Sequence, residues 1–248
     1  MKRQTDAFMV NCKNCNHSFT GRFCSNCGQP ADTHKINLHF LWHDIQHGLF
    51  HFDKGVFYTV KELFTRPGHS IREFIEGRRV NHFKPVSMVI LLATLYGLLY
   101  HHYGINLFVP RTEDSKELSE YINHWTSNHY SWYTLATIPL FSLGTYISFK
   151  SQKYNYFEYL VLNTFKASQR LVLHLVTFPL LVYCNGKPSL DTLIYAYYAA
   201  DLFLIYWTNF QFFNKMGWWK VLLLSICSHL IMVFTLILIL TSIILIIS

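Results

Sequence analysis

Four cysteines near the start of the chain, Cys12, Cys15, Cys24 and Cys27, form two Cys-x-x-Cys pairs separated by eight residues. Each pair can present two thiolates to one ion, and the second pair completes a tetrahedral shell. Four sulfur ligands leave no open position for water or substrate, so the implied chemistry is structural Zn2+ binding, not catalysis. A ribbon this short has no core of its own, and the metal supplies its folding energy. Gly28 after the second pair suits a tight turn that brings backbone N–H groups toward sulfur. His17 is a spare ligand that four cysteines make unnecessary. Phe19, Arg22 and Phe23 offer a thin aromatic and basic face. Protein contact or a structural cap is therefore favoured over nucleic acid.

A second group lies just downstream. His39, His43, His47 and His51 are each four residues apart, which at helical spacing makes one slowly drifting stripe. Asp44, three before His47, could fix its tautomer. One reading is a second metal site or a pH-sensing stripe. The other is an amphipathic helix at a membrane surface, with Leu38, Leu41, Trp42, Ile45, Leu49 and Phe50 entering the interface and His at its border. Gly48 argues against one rigid helix. Arg78 and Arg79 form a basic pair that could take a phosphate or lipid head group, or could simply enforce topology. Farther on, Lys166, Arg170 and His174 follow at successive four-residue steps, and Asp201 is an available counter-charge. These four could build an intramembrane polar site for an anionic ligand, lipid phosphate or ion. In the other reading, residues 154 to 168 stay in the cytosolic interface, where Lys166 and Arg170 snorkel to head groups. Glu158 is a further candidate partner under either reading.

These residues need elements to position them, and composition says which. The chain has 248 residues, 51% apolar and only 14% charged, with a net charge of +7. Long apolar runs recur from Pro85 onward, which excludes two soluble domains. About 20 apolar residues cross a bilayer core, and five segments are read that way: 85–103, 131–149, 156–183, 190–213 and 219–247. The fold class is thus an all-α polytopic membrane protein of about five transmembrane helices. Residues 1–33 form a small four-cysteine zinc ribbon, residues 34–84 carry His-rich juxtamembrane amphipathic helices, and residues 85–248 form the transmembrane bundle. Cys184 and Cys227 read as small packing residues.

Residues 1–84 hold twelve Lys and Arg against seven acids, +5 net. The loop after the first span is net acidic, whereas Lys150, Lys153, Lys215 and Lys220 mark later loops as cytosolic. The positive-inside rule puts the N-terminus in the cytosol and the C-terminus outside. No cleavable signal peptide is expected, since no apolar stretch precedes Cys12. Within residues 52–84, Asp53 can cap a helix with Val56, Phe57, Val60, Leu63 and Phe64 on its apolar face. Pro67-Gly68 breaks that helix, Ser70 and Glu73 sit at capping-box spacing, and Gly77 ends the next turn.

The paired knuckle ending Cys27-Gly28-Gln29 and the His-rich segment are joined by "FDKG", "RPGHSIREFIEGRRV" and Pro85. Together they resemble a bacterial membrane-protein family, domain of unknown function 3667, over about residues 12–100. The resemblance implies a zinc-ribbon-headed polytopic protein of the bacterial inner membrane, and implies no activity. No phosphate-binding Gly loop, H-E-x-x-H or G-x-S-x-G occurs. The leading expectation is a non-enzymatic regulatory, scaffold or interaction protein. Its partners would be membrane lipids, a cytosolic protein at the zinc head, and copies of itself. An oligomeric pore or transporter using the charged face at Lys166 is the first alternative. A membrane enzyme or binder for lipid or isoprenoid substrates is the second.

Overall fold

The computed structural model describes residues 9–42, 55–108 and 116–247. Two short strands, β1 (Val10–Asn11) and β2 (Ser18–Phe19), pair antiparallel with Val10 opposite Phe19. Residues 38–42 are helical, and the Asn37 side chain caps them by accepting from Phe40 N at 2.8 Å. Two short helices come next, α1 (Gly55–Thr65) and α2 (Pro67–Glu76). The remaining helices are α3 (Pro85–His102), α4 (Lys116–Ser148), α5 (Tyr156–Val176), α6 (Phe178–Cys184), α7 (Ser189–Phe212) and α8 (Trp218–Ile247).

Local chemistry sets several of these boundaries. Pro67 opens α2, where its missing N–H is no loss, and Gly77 ends it at φ 114°, a left-handed position. Ser70 and Glu73 do not form the expected capping box. Both lie inside α2, and Glu73 instead takes the Arg66 guanidinium, with Nη1 to Oε1 at 3.0 Å. The capping box is at α5: Asn155 accepts from Glu158 N at 2.9 Å, and Glu158 accepts from Asn155 N at 2.8 Å. Glu158 is thereby committed to the start of α5, not to the cations farther along it. At Thr177 the chain bends by 56° between α5 and α6. Pro179 lies in the first turn of α6, where it withholds the N–H that would continue the helix.

Helices α3, α4, α5, α7 and α8 run alternately up and down. Ser131 of α4 donates to Ala93 O of α3, Asn163 of α5 to Thr145 of α4, Thr208 of α7 to Gln169 of α5, and Asn209 of α7 to Ser225 of α8. The turns between α4 and α5 and between α7 and α8 gather at one end, where Phe149 and Phe213 stack at 3.9 Å. Helix α5 is central: Val161 through Ser168 are buried without interruption. The core beside it joins Ile36, Leu63, Ile71, Phe74, Phe149, Tyr159 and Phe165, so α1, α2 and the bundle share one interior.

By length and apolarity, α3 and residues 218–242 of α8 can each cross a bilayer, and the bent pair α5–α6 is a third candidate. The expected five spans are not supported. Segment 131–149 falls almost wholly in the second half of the 33-residue α4 and is rich in Ser, Thr and Tyr. Segment 190–213 carries Asp191, Asp201, Asn209 and Gln211, and its Tyr195, Tyr197, Tyr198, Tyr206 and Trp207 bring polar groups that hydrocarbon does not favour. Counting aromatic residues as simply apolar overstates both segments.

The tightest approach in the fold is α2 against the end of α7. A Cβ at Gly68 would collide with Phe212 N and Thr208 O, and Gly68 N donates to Gln211 Oε1 at 3.2 Å. Gly68→Ala should therefore destabilise by about 1–3 kcal/mol, the usual cost of overpacking. Gly217→Ala, at a site with nothing within 4 Å, should be near neutral. Thermal unfolding of both variants in detergent checks the contrast.

Candidate functional site

The four knuckle cysteines come together as one cluster. Their sulfur atoms all lie within 4.8 Å of one another, with Cys12–Cys27 at 3.5 Å and Cys15–Cys24 at 3.6 Å. All four are free thiols, with no disulfide between them. The two pairs are built by the same local turn. Asn16 N donates to Cys12 O and Cys12 N to His17 O; Gly28 N donates to Cys24 O and Cys24 N to Gln29 O. Each turn needs one left-handed residue, Asn16 at φ 58° and Gly28 at φ 77°. Asn is the residue that tolerates this conformation best after Gly, a signal readable at Asn16 but missed there. Phe19 covers the cluster at 6% exposure, whereas Phe23, at 63%, turns away from it.

The electrostatics favour a bound cation. Hydrogen bonds from the Asn26 side chain and the His17 backbone bring the Cys15 thiol down to about 6. Cys27 is pushed up to about 11: a backbone hydrogen bond at Gln29 works the other way, but burial and the neighbouring thiols outweigh it. Four sulfurs this close cannot all ionise unless a positive charge sits among them. The donor set fits a tetrahedral thiophilic ion.

The ribbon is fastened to the segment that comes after it. Lys13 Nζ donates to Thr33 O at 2.8 Å and its chain lies over Gly77, leaving no room for a side chain there. Gln29, 2% exposed, accepts from Arg79 N at 3.4 Å. The Arg79 guanidinium donates to Phe74 O at 3.0 Å and His34 O at 3.1 Å, and lies 4.5 Å from the Phe40 ring centre. Beyond that, Asn155 donates to Ile36 O at 3.1 Å. Of the basic pair read as a head-group contact, Arg79 thus binds the protein's own carbonyls. Arg78 is half exposed, 3.9 Å from Glu73.

The His stripe falls largely outside the described residues: His43, His47 and His51 are not among them, nor are Asp44 and Asp53. His39 is exposed on the helical segment 38–42, as are Leu38 and Trp42, while Leu41 turns into the core.

The charged face of α5 meets α7. His174 Nε2 lies 3.1 Å from Asp201 Oδ1, and Arg170 Nη1 lies 3.8 Å from Asp201 Oδ2. Tyr197 stacks on His174 at 4.9 Å. Lys166 does not join this trio. It is 4% exposed and its amine donates to Asn163 Oδ1 at 3.4 Å. Cys184 is buried as expected, but Cys227 is exposed on the outer face of α8.

Sequence reasoning passed over His82, in the turn before α3. It is packed edge-on against Tyr58, Phe74 and Phe165. The family model described as a protein of unknown function (DUF3667) matches residues 53–97, the stretch containing α1, α2 and His82. No curated protein and no solved structure matched the chain.

Burial lowers the His82 pKa from 6.5 to about 4. The fold therefore favours its neutral form. Its contribution is complete above pH 6.5 and is lost as pH falls toward 4. The melting temperature should drop over that window, and His82→Leu should flatten the slope. A pH scan of both proteins in detergent measures this.

Proposed function

We propose that the chain is a polytopic bacterial inner-membrane protein without enzymatic activity, in which a cytosolic four-cysteine zinc head regulates or scaffolds the helical bundle. The carrying observation is the closed set of four sulfurs within 4.8 Å, on a ribbon whose Gln29 accepts from Arg79 N, with Arg79 also bonded to His34 O just beyond it. Such a site has no place for a substrate. It does have a route by which metal occupancy reaches α2, α5 and the core between them.

The membrane reading rests on more than helix length. Outward faces are apolar, with Leu91, Leu95 and Leu98 on α3 and Leu223, Leu230 and Phe234 on α8 exposed. Inward faces carry Ser225, Ser228, Asn163 and Thr208. An exposed apolar surface of this extent is accommodated by lipid. Orientation is supported by the end of the bundle that holds the ribbon. The turns bearing Lys84, Lys150, Lys153 and Lys215 share it, joined by Phe149–Phe213 and by Tyr154 against Phe212. The positive-inside rule favours such a Lys-bearing end on the cytosolic side.

A second reading, a pore or transporter, draws on the Arg170–Asp201–His174 contact, because ionisable groups placed between helices often line an ion path. Purified protein in liposomes that passes no ions would remove it. For the zinc head, paired Cys12→Ser and Cys24→Ser changes should abolish stoichiometric zinc by elemental analysis. Arg79→Gln should keep the zinc yet expose the 28–36 segment to limited proteolysis. Zinc retained by the double Cys variant would overturn the metal assignment. Unchanged proteolysis of Arg79→Gln would overturn the coupling.

A further inference from the structure

A small cavity opens between α4, α5, α7 and α8, away from the metal head. Its volume is about 20 Å³, enough for one or two water-sized particles and too small for a phosphate or a lipid head group. Lys166, Arg170 and His229 line it, with amides and hydroxyls from Asn163, Asn209 and Ser228. Among the described residues, no carboxylate forms part of its walls. Lys166 lies ten residues into α5, about 15 Å along its axis, well away from the shared end of the helices.

With Lys166 protonated, the charges here would not balance. Lys166 and Arg170 stand one turn apart on one helix face, and Asp201 is the acid beside them. Asp201 is already divided between Arg170 and His174. The contact described for Lys166 is the long one to a neutral amide, at 3.4 Å. Arg170 Nε is buried with no hydrogen-bond acceptor among the described residues. A buried ammonium and an orphaned guanidinium N–H are each costly. One acceptor carrying a single negative charge would answer both.

We infer that this cavity binds a small inorganic monoanion of chloride's size, held by Lys166 Nζ and Arg170 Nε. Asn209 Oδ1, also buried without a partner among the described residues, is an acceptor and would not touch the anion directly. A single water donating to both fits the remaining space. The site is separate from the zinc head and requires binding only, not conduction.

The test uses full-length protein in nanodiscs of purely zwitterionic lipid, so that no anionic head group competes. Melting temperature is followed while sodium chloride replaces sodium gluconate at constant ionic strength, and equilibrium dialysis with radioactive chloride gives stoichiometry. The expected result is a saturable rise in melting temperature with about one chloride per chain, shared by bromide and absent with phosphate. Lys166→Met, close in shape and uncharged, should abolish both signals. Lys187→Met, at the far end of the bundle, should keep them. Arg170→Met is less suitable because it also strips Asp201 of a partner. Melting that ignores the anion, as a neutral Lys166 amine would give, overturns the inference. So does chloride binding retained in Lys166→Met, or saturable stabilisation by phosphate in place of chloride.

Discussion

The carbonyl end of α7 is the constraint on which the rest of the architecture depends. A helix leaves its last carbonyls without internal partners, and here they lie inside the protein. Arg72 meets them, donating to Gln211 O and to Phe212 O. A cation at a helix C-terminus also suits the local dipole. The guanidinium can reach only because Gly68 lets the α2 backbone lie directly on α7. Glu62 and Glu73 hold Arg66 between α1 and α2, which keeps the pair of short helices at the angle this requires. Gln169 then ties α5 to α1 through Leu63 O at 2.6 Å and to α7 through Thr208. Helices α1 and α2 are thus part of the bundle's interior.

This changes the meaning of the metal ribbon. It does not hang from a linker, because Gln29, and His34 and Ile36 just after the ribbon, are each bonded to groups in the turn after α2 or at the start of α5. Arg79 stands at the centre, its charge shared between two carbonyls and the faces of Phe40 and Phe74. Disrupting the cysteine cluster would free residues that also support the start of α5.

How much could be read from the sequence depends on the range of the interactions. The Cys pairs were legible because ligand spacing is local, and Gly77 as a helix stop was legible for the same reason. Asp201 near Arg170 could be anticipated from a shortage of charges in apolar surroundings. The span count could not, because hydropathy depends on what a tyrosine does with its hydroxyl, and that is set by neighbours. Glu73 and Glu158 exchanged roles for a similar reason. Each could cap a helix or pair with a cation, and the choice was made by Arg66 for one and Asn155 for the other. The role of Arg72 had no local signature at all, since its partners are 139 and 140 residues away.

That separation has a consequence for biogenesis. At about 5–20 residues per second of synthesis, α7 is complete roughly 7–27 s after α2. Until then Ile71, Phe74 and Ile75, which end up buried, have no α7 to dock on. Helices α1 and α2 must wait until α7 has been made. Docking of α2 on α7 is therefore a late event, and until then the nascent chain presents an unpaired apolar face.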